Sequence, residues 1–209
     1  MKGFATVSSP FARKVRVAAV ETGQPDLIEW HMLSREERPK IVPPVNPLGK
    51  VPVVVLETGD VLYDSPVICA YVDSLHDGLR LIPASGPERW RVLRREALGD
   101  GLAEAVVAVA QEAAKPKEAQ SRRVLDRQGA KVTAALAALD AEAGDFRDPP
   151  SMGEIAVACA LGYMDYRGVA AGWRGPPSRP RGVVRGHPCA PVLRRDHAGG
   201  EGMTPFPSR

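Results

Sequence analysis

Two short stretches place a serine hydroxyl where a helix is expected to begin. Residues 6–12 read TVSSPFA and residues 62–68 read LYDSPVI. Ser is a favoured N-cap and Pro is favoured in the first helical turn. A helix N-terminus also presents unpaired amide donors and about half a positive charge, which suits an anion. Ser9, at the first of these termini, has the chemistry to stabilise a thiolate by O–H donation. Asp64-Ser65, at the second, can hold an ammonium on the acid and a carboxylate on the hydroxyl and amide. Together they suit a zwitterionic, thiol-bearing peptide. Taken alone, an isolated Ser-Pro reads first as a plain cap, worth ~1 kcal/mol.

Between them lies Lys50-Val51-Pro52, at the start of the apolar run VVVL. A proline at a strand entry can be cis, which leaves the backbone groups of Val51 free to pair with an extended ligand. Local sequence fits either isomer.

Positioning these groups requires a small α/β layer. Residues 3–7 and 27–31 suit strands, with a helix from Ser9 to a stop at Gly23 between them. Its apolar face comprises Val15, Ala18 and Ala19, with Arg13, Lys14 and Arg16 expected mostly on other faces. VPVVVL and DVLY flank an E-T-G-D turn and read as an antiparallel hairpin, followed by a helix from Ser65 to Leu75. The order predicts a mixed sheet with helices. Residues 79–86 read as a linker. Helices are then expected over about 87–114 and 117–143 from their composition, broken near Lys115-Pro116. A third begins at Ser151, whose S-x-x-E spacing to Glu154 marks a capping box.

Composition excludes several classes. The chain has 209 residues, 44% hydrophobic and 25% charged, with three scattered cysteines and a net charge of +3. No apolar run reaches the ~18 residues of a membrane span. The start lacks a secretory pattern and the odd cysteine count argues against a disulfide framework, so a reduced, cytoplasmic setting is expected. Residues 174–209 hold seven Arg against two acids, leaving 21 basic and 23 acidic residues before them. The basicity belongs to the tail, and the body shows no nucleic-acid-binding stripe. Cys69 and Cys159 lie in apolar helical patterns and read as packing residues. His187, Cys189 and His197 match no zinc spacing, so no metal is expected.

The segments SSPFARKVRV, NPLGKVPVVV, LYDSPVICAYV and GEIAVACALGYMDYR, in this order, resemble the glutathione S-transferase family, in particular bacterial serine-type members. The resemblance covers about residues 1–173. It implies a thioredoxin-like domain with a mixed four-stranded sheet (1–78), a linker (79–86) and an all-α domain (87–173), usually in a homodimer. It further implies binding of reduced glutathione as co-substrate, with no resident cofactor, and attack of its thiolate on a small electrophile, a detoxification chemistry. By motif, Ser9 (with Ser8 as the alternative) corresponds to the thiolate's hydrogen-bond donor. Val51, before Pro52, corresponds to the residue whose backbone pairs with the cysteinyl unit, and Asp64 and Ser65 to the pair holding the γ-glutamyl end. Lys50, Arg35 and Arg38 are candidates by charge for the glycyl carboxylate. The alternative function is a non-catalytic glutathione- or protein-binding module of the same fold.

Residues 174–209 leave the family pattern. Gly, Pro and Arg make up 20 of these 36 residues, a composition that alone reads as disorder. Residues 182–199 can also be back-translated so that a start one nucleotide later spells A-W-Y-E-A-I-R-A-R-P-S-F-A-A-T-M-P. That string has the character of a helix, and a changed reading frame is the expectation for the tail.

Overall fold

The computed structural model describes residues 1–170. The tail from Arg174, with His187, Cys189 and His197, lies outside the described residues, as does the reading-frame expectation attached to it. The chain divides into two compact units whose boundary falls between Arg89 and Trp90.

The first unit contains β1 (Lys2–Ala5), α1 (Pro10–Glu21), β2 (Glu29–Met32), α2 (Arg38–Ile41), β3 (Val53–Val55), β4 (Val61–Leu62) and α3 (Ser65–Ser74). The sheet order is β2-β1-β3-β4, with β1 and β2 parallel and the other two pairings antiparallel. This is the mixed four-stranded, thioredoxin-like arrangement expected from the sequence. Leu33, Val42 and Val53 form a buried cluster, against which Phe4, Ile41, Val45, Val51 and Val61 pack. Helices α1 and α3 pack on each other.

Local grammar accounts for most boundaries. Ser9 caps α1 by accepting the Ala12 amide at 3.2 Å. Thr22 closes the helix and Gly23 follows with φ +73°, the left-handed conformation a stop requires. The β3–β4 turn closes through Leu56 N–H to the Asp60 carbonyl at 2.8 Å, with Gly59 at φ +90°. Gly3 has a different reason: a Cβ there would meet Ile28 Cγ2 and Trp30 Cε3 at 2.6 Å each.

Burial of α1 extends beyond that apolar face. Arg13 and Lys14 are buried along with Ala12, Val15, Val17, Ala18 and Ala19. Seeking one apolar stripe presumes one covered face, whereas this helix is covered on more than one, and long cationic side chains are buried with it.

The second unit carries α4 (Gly86–Ala113), α5 (Arg122–Ala141) and α6 (Met152–Arg167), with 3-10 turns at Lys117–Ala119 and Ala143–Asp145. Helix α4 thus starts in the first unit. Helix α5 begins five residues later than composition suggested, because Ser121 supplies the cap, accepting the Val124 amide at 3.4 Å. In α6 every residue from Met152 to Met164 is buried, as expected for a helix apolar around most of its circumference. The capping box of Ser151 and Glu154 is present, and Gly168 ends the helix at φ +63°. Cys69 and Cys159 are buried and not joined in a disulfide. No helix among the described residues is long and apolar enough to cross a membrane.

Candidate functional site

The sheet topology gathers the candidate residues at one end. Strands β1, β2 and β4 share a direction and β3 opposes them. The segments that follow β1, β2 and β4 therefore leave at the edge where β3 enters. These are residues 6–9, 33–38 and 63–65, meeting residues 46–52.

Register sharpens the placement. Phe4 pairs with Val53, and Val54 pairs with Leu62. Val51 and Pro52 immediately precede the paired residues of β3, at the sheet end where the chain leaves β1 and β4. Ser9 follows Thr6 by three residues, and its amide donates to the Thr6 carbonyl at 3.1 Å. Ser8 is half-buried within that turn.

The Val51–Pro52 bond is cis, an isomer that local sequence left open. Pro52 is buried and Val51 half-buried. The Tyr63–Asp64 bond is also cis, although no proline is involved and no sequence signal marked it. Asp64 is the N-cap of α3, yet its carboxylate makes no capping hydrogen bond and is exposed. Ser65, the first residue of α3, is only 2% exposed. At this position its amide has no intrahelical acceptor.

Ser9 combines roles that the sequence presented as alternatives. Its Oγ accepts the Ala12 amide. That bond uses a lone pair and leaves the hydroxyl proton available for donation. Capping α1 and donating to an anion are compatible.

The three cationic candidates separate. Arg38, on α2, donates from its Nη2 to the Gly49 carbonyl at 2.9 Å. Arg35 is exposed between a reciprocal pair: Glu37 Oε2 accepts the Ser34 amide at 2.8 Å and Ser34 Oγ accepts the Glu37 amide at 3.2 Å. The Ser34 amide, then its hydroxyl, hold the Glu37 carboxyl below its ordinary range. Lys50 is exposed and immediately precedes Val51.

Sequence reasoning passed over Asn46, which is 1% exposed. Its Nδ2 donates to the Lys50 carbonyl at 2.9 Å and its Oδ1 accepts the Leu48 amide at 3.0 Å. The available signal was the Asn-Pro dipeptide, where Asn side chains commonly bond the backbone of a turn.

Comparison with known proteins gives a consistent family. Residues 8–75 match the model for the glutathione S-transferase N-terminal domain and residues 122–184 that for the C-terminal domain. The uncharacterized GST-like protein YibF of Escherichia coli (strain K12) is 35% identical over 178 residues, covering 83% of this chain and 86% of the relative. A glutathione transferase family member from Pseudomonas fluorescens Pf-5, solved with bound S-(propanoic acid)-glutathione, is 40% identical with a TM-score of 0.72. It covers 83% of this chain and 87% of its own. A glutathione S-transferase from Methylobacillus flagellatus KT, solved with glutathione bound, is 32% identical with a TM-score of 0.75. The coverage there is 94% of this chain and 92% of the other.

Proposed function

The chain belongs to the glutathione S-transferase family, and from that premise we propose that it binds reduced glutathione at this sheet end and transfers the thiolate to a small electrophile. The observation that carries the reading is the convergence, at the sheet end where β3 enters, of the Ser9 turn after β1, the cis Val51–Pro52 bond before β3 and the buried Ser65 that opens α3 after β4. Ser65 and the N-terminus of α3 hold the γ-glutamyl carboxylate, and Asp64 takes the ammonium. The Val51 backbone pairs with the cysteinyl unit. Lys50 takes the glycyl carboxylate, since Arg38 already serves Gly49.

A free thiol titrates near ~8.5, and a hydroxyl donor at a helix N-terminus favours its anion. Ser9 donates its proton as a hydrogen bond to the sulfur and is not itself a base. The thiol proton leaves to solvent. The sulfur lone pair then forms a C–S bond at the electrophilic carbon, which expels a leaving group or passes a π pair to a neighbouring atom. The thioether ligand of the Pseudomonas relative is the kind of compound such a step yields. Assembly as a homodimer and a cytoplasmic, detoxifying role complete the proposal on family grounds.

The test is a calorimetric titration of the 209-residue chain with reduced glutathione, beside Ser65→Ala. Saturable binding is expected, weakened about 10- to 100-fold in the variant by loss of a hydrogen bond to a charged group. Turnover is then read with a panel of electrophiles, such as an aryl halide, an epoxide and an α,β-unsaturated acid. Absence of saturable binding by folded protein overturns the glutathione reading. Binding without turnover on any of the panel selects the non-catalytic module instead.

A further inference from the structure

The backbone donor of the site belongs to a peptide unit that one buried side chain holds in place. The Lys50–Val51 peptide is planar, with the Lys50 carbonyl on one edge and the Val51 amide on the other. Asn46 Nδ2 takes the Lys50 carbonyl. Fixing the oxygen on one edge fixes the direction of the N–H on the opposite edge.

The orientation of the Asn46 amide is settled by chemistry. Leu48 N–H requires an acceptor and the Lys50 carbonyl a donor, so Oδ1 and Nδ2 have only one arrangement that serves both. The surrounding loop is tied at several further points. The Asn46 amide donates to the Val42 carbonyl at 2.7 Å and its carbonyl accepts the Gly49 amide at 2.9 Å. Arg38 reaches across to the Gly49 carbonyl, and Gly49 adopts φ +62°.

We propose that Asn46 is a positioning residue for ligand binding: acting through the Lys50 carbonyl, it aims the Val51 amide at the cysteinyl unit of glutathione. This rests on the glutathione reading above. Asn46 does not touch the ligand, so its contribution is to affinity for glutathione and not to the bond-making step.

Two variants test it. Asn46→Asp keeps the acceptor for Leu48 N–H and sets an oxygen against the Lys50 carbonyl. Gly49→Ala leaves Asn46 intact and disfavours the left-handed loop conformation, with no atom within 4 Å for the new methyl to strike. Each is expected to raise the glutathione KM about tenfold, with kcat at saturating glutathione and the KM for the electrophile within about twofold. Gly49→Asn, which tolerates the left-handed region, is expected to recover most of the affinity. A purely structural role would instead lower the unfolding temperature and affect both substrates alike. Wild-type glutathione affinity in folded Asn46→Asp overturns the inference. Should that variant fail to fold, an unchanged glutathione KM in Gly49→Ala overturns it. Failure of the glutathione reading is recognised separately, by absence of saturable binding in the unaltered chain.

Discussion

Arg95 on α4 donates from its Nη1 to Oε1 of Glu154 on the first turn of α6, and the two residues are 5% and 0% exposed. The other carboxylate oxygen, Oε2, accepts the Ser151 amide at 2.8 Å and the Ser151 hydroxyl. The acid of a capping box is therefore also the counter-ion of a buried cation. Arg95 stacks over Phe146 at 4.7 Å, and its Nε lies 3.5 Å from Glu142.

Removing the charge from Glu154 leaves that cation without its principal partner. Glu154→Gln is expected to cost ~3–5 kcal/mol, the usual penalty for breaking a buried pair. Adding Arg95→Met is expected to recover part of the loss, because the unpaired charge goes with it. Urea unfolding of the two single variants and the double variant measures the coupling. Additive losses would show that the pair does not act as a unit.

Glu142 gives the same unit a dependence on acid. The hydrogen-bonding guanidinium of Arg94, at 2.7 Å, holds the Glu142 carboxyl below its ordinary range, and the charge of Arg95 adds to this. A lowered folded-state value stabilises the fold above the unfolded value, ~4.3, and that contribution disappears as pH falls through the folded value. Urea midpoints of the unaltered chain and Glu142→Gln should differ by a constant amount near neutrality and converge in acid. A gap that persists unchanged in acid would rule out this charge as its source.

Ser9→Ala should separate capping from thiolate stabilisation. Loss of the cap is expected to cost ~1 kcal/mol of stability. Under the proposed mechanism the thiol of bound glutathione titrates about one unit higher in the variant. The thiolate's ultraviolet absorbance, followed against pH, reads this directly. Ser8→Ala is expected to leave the titration in place; a shift there instead of at Ser9 would reassign the donor.

Asp73 near the end of α3 accepts the amides of Leu81 and Ile82 at 2.7 and 3.0 Å. His76 completes the arrangement. Its Nδ1 accepts the Gly78 amide at 3.0 Å, so in the neutral ring the proton resides on Nε2, 3.2 Å from Asp73 Oδ1. Asp73→Asn turns an amide group toward a donor and is expected to cost ~1–3 kcal/mol. Hydrogen exchange at Leu81 and Ile82 should accelerate beyond any global loss of stability. Unchanged protection at both amides would show that the clamp does not hold them.

Much of this architecture was legible because its signals are local. Ser9-Pro10, Gly23, the E-T-G-D turn and Ser151/Glu154 each act within a few residues, where capping and turn chemistry operate. The cis state of Val51–Pro52 was not legible, since either isomer fits the local chain and tertiary surroundings select one. The burial of Arg13 and Lys14 escaped for a related reason: periodicity does not count how many faces of a helix are covered. Asn46 was missed because its Asn-Pro signal marks a turn without naming the backbone groups its side chain bonds, the Leu48 amide and the Lys50 carbonyl. That the Ser9 turn, the start of β3 and the start of α3 meet at one end of the sheet emerges only when the strand order and directions are known.

Gly3 imposes a rule on how this protein can diverge. Trp30 and Ile28 occupy the volume that any side chain at position 3 would need. Most single-nucleotide changes at its codon would therefore demand a compensating change at one of two larger neighbours. Lys2, whose position is exposed, carries no such debt. Along these four residues of strand, lineages should drift freely at one site and be held nearly stationary at the next. Substitution at Gly3, where it arises, should travel with a smaller residue at 28 or 30.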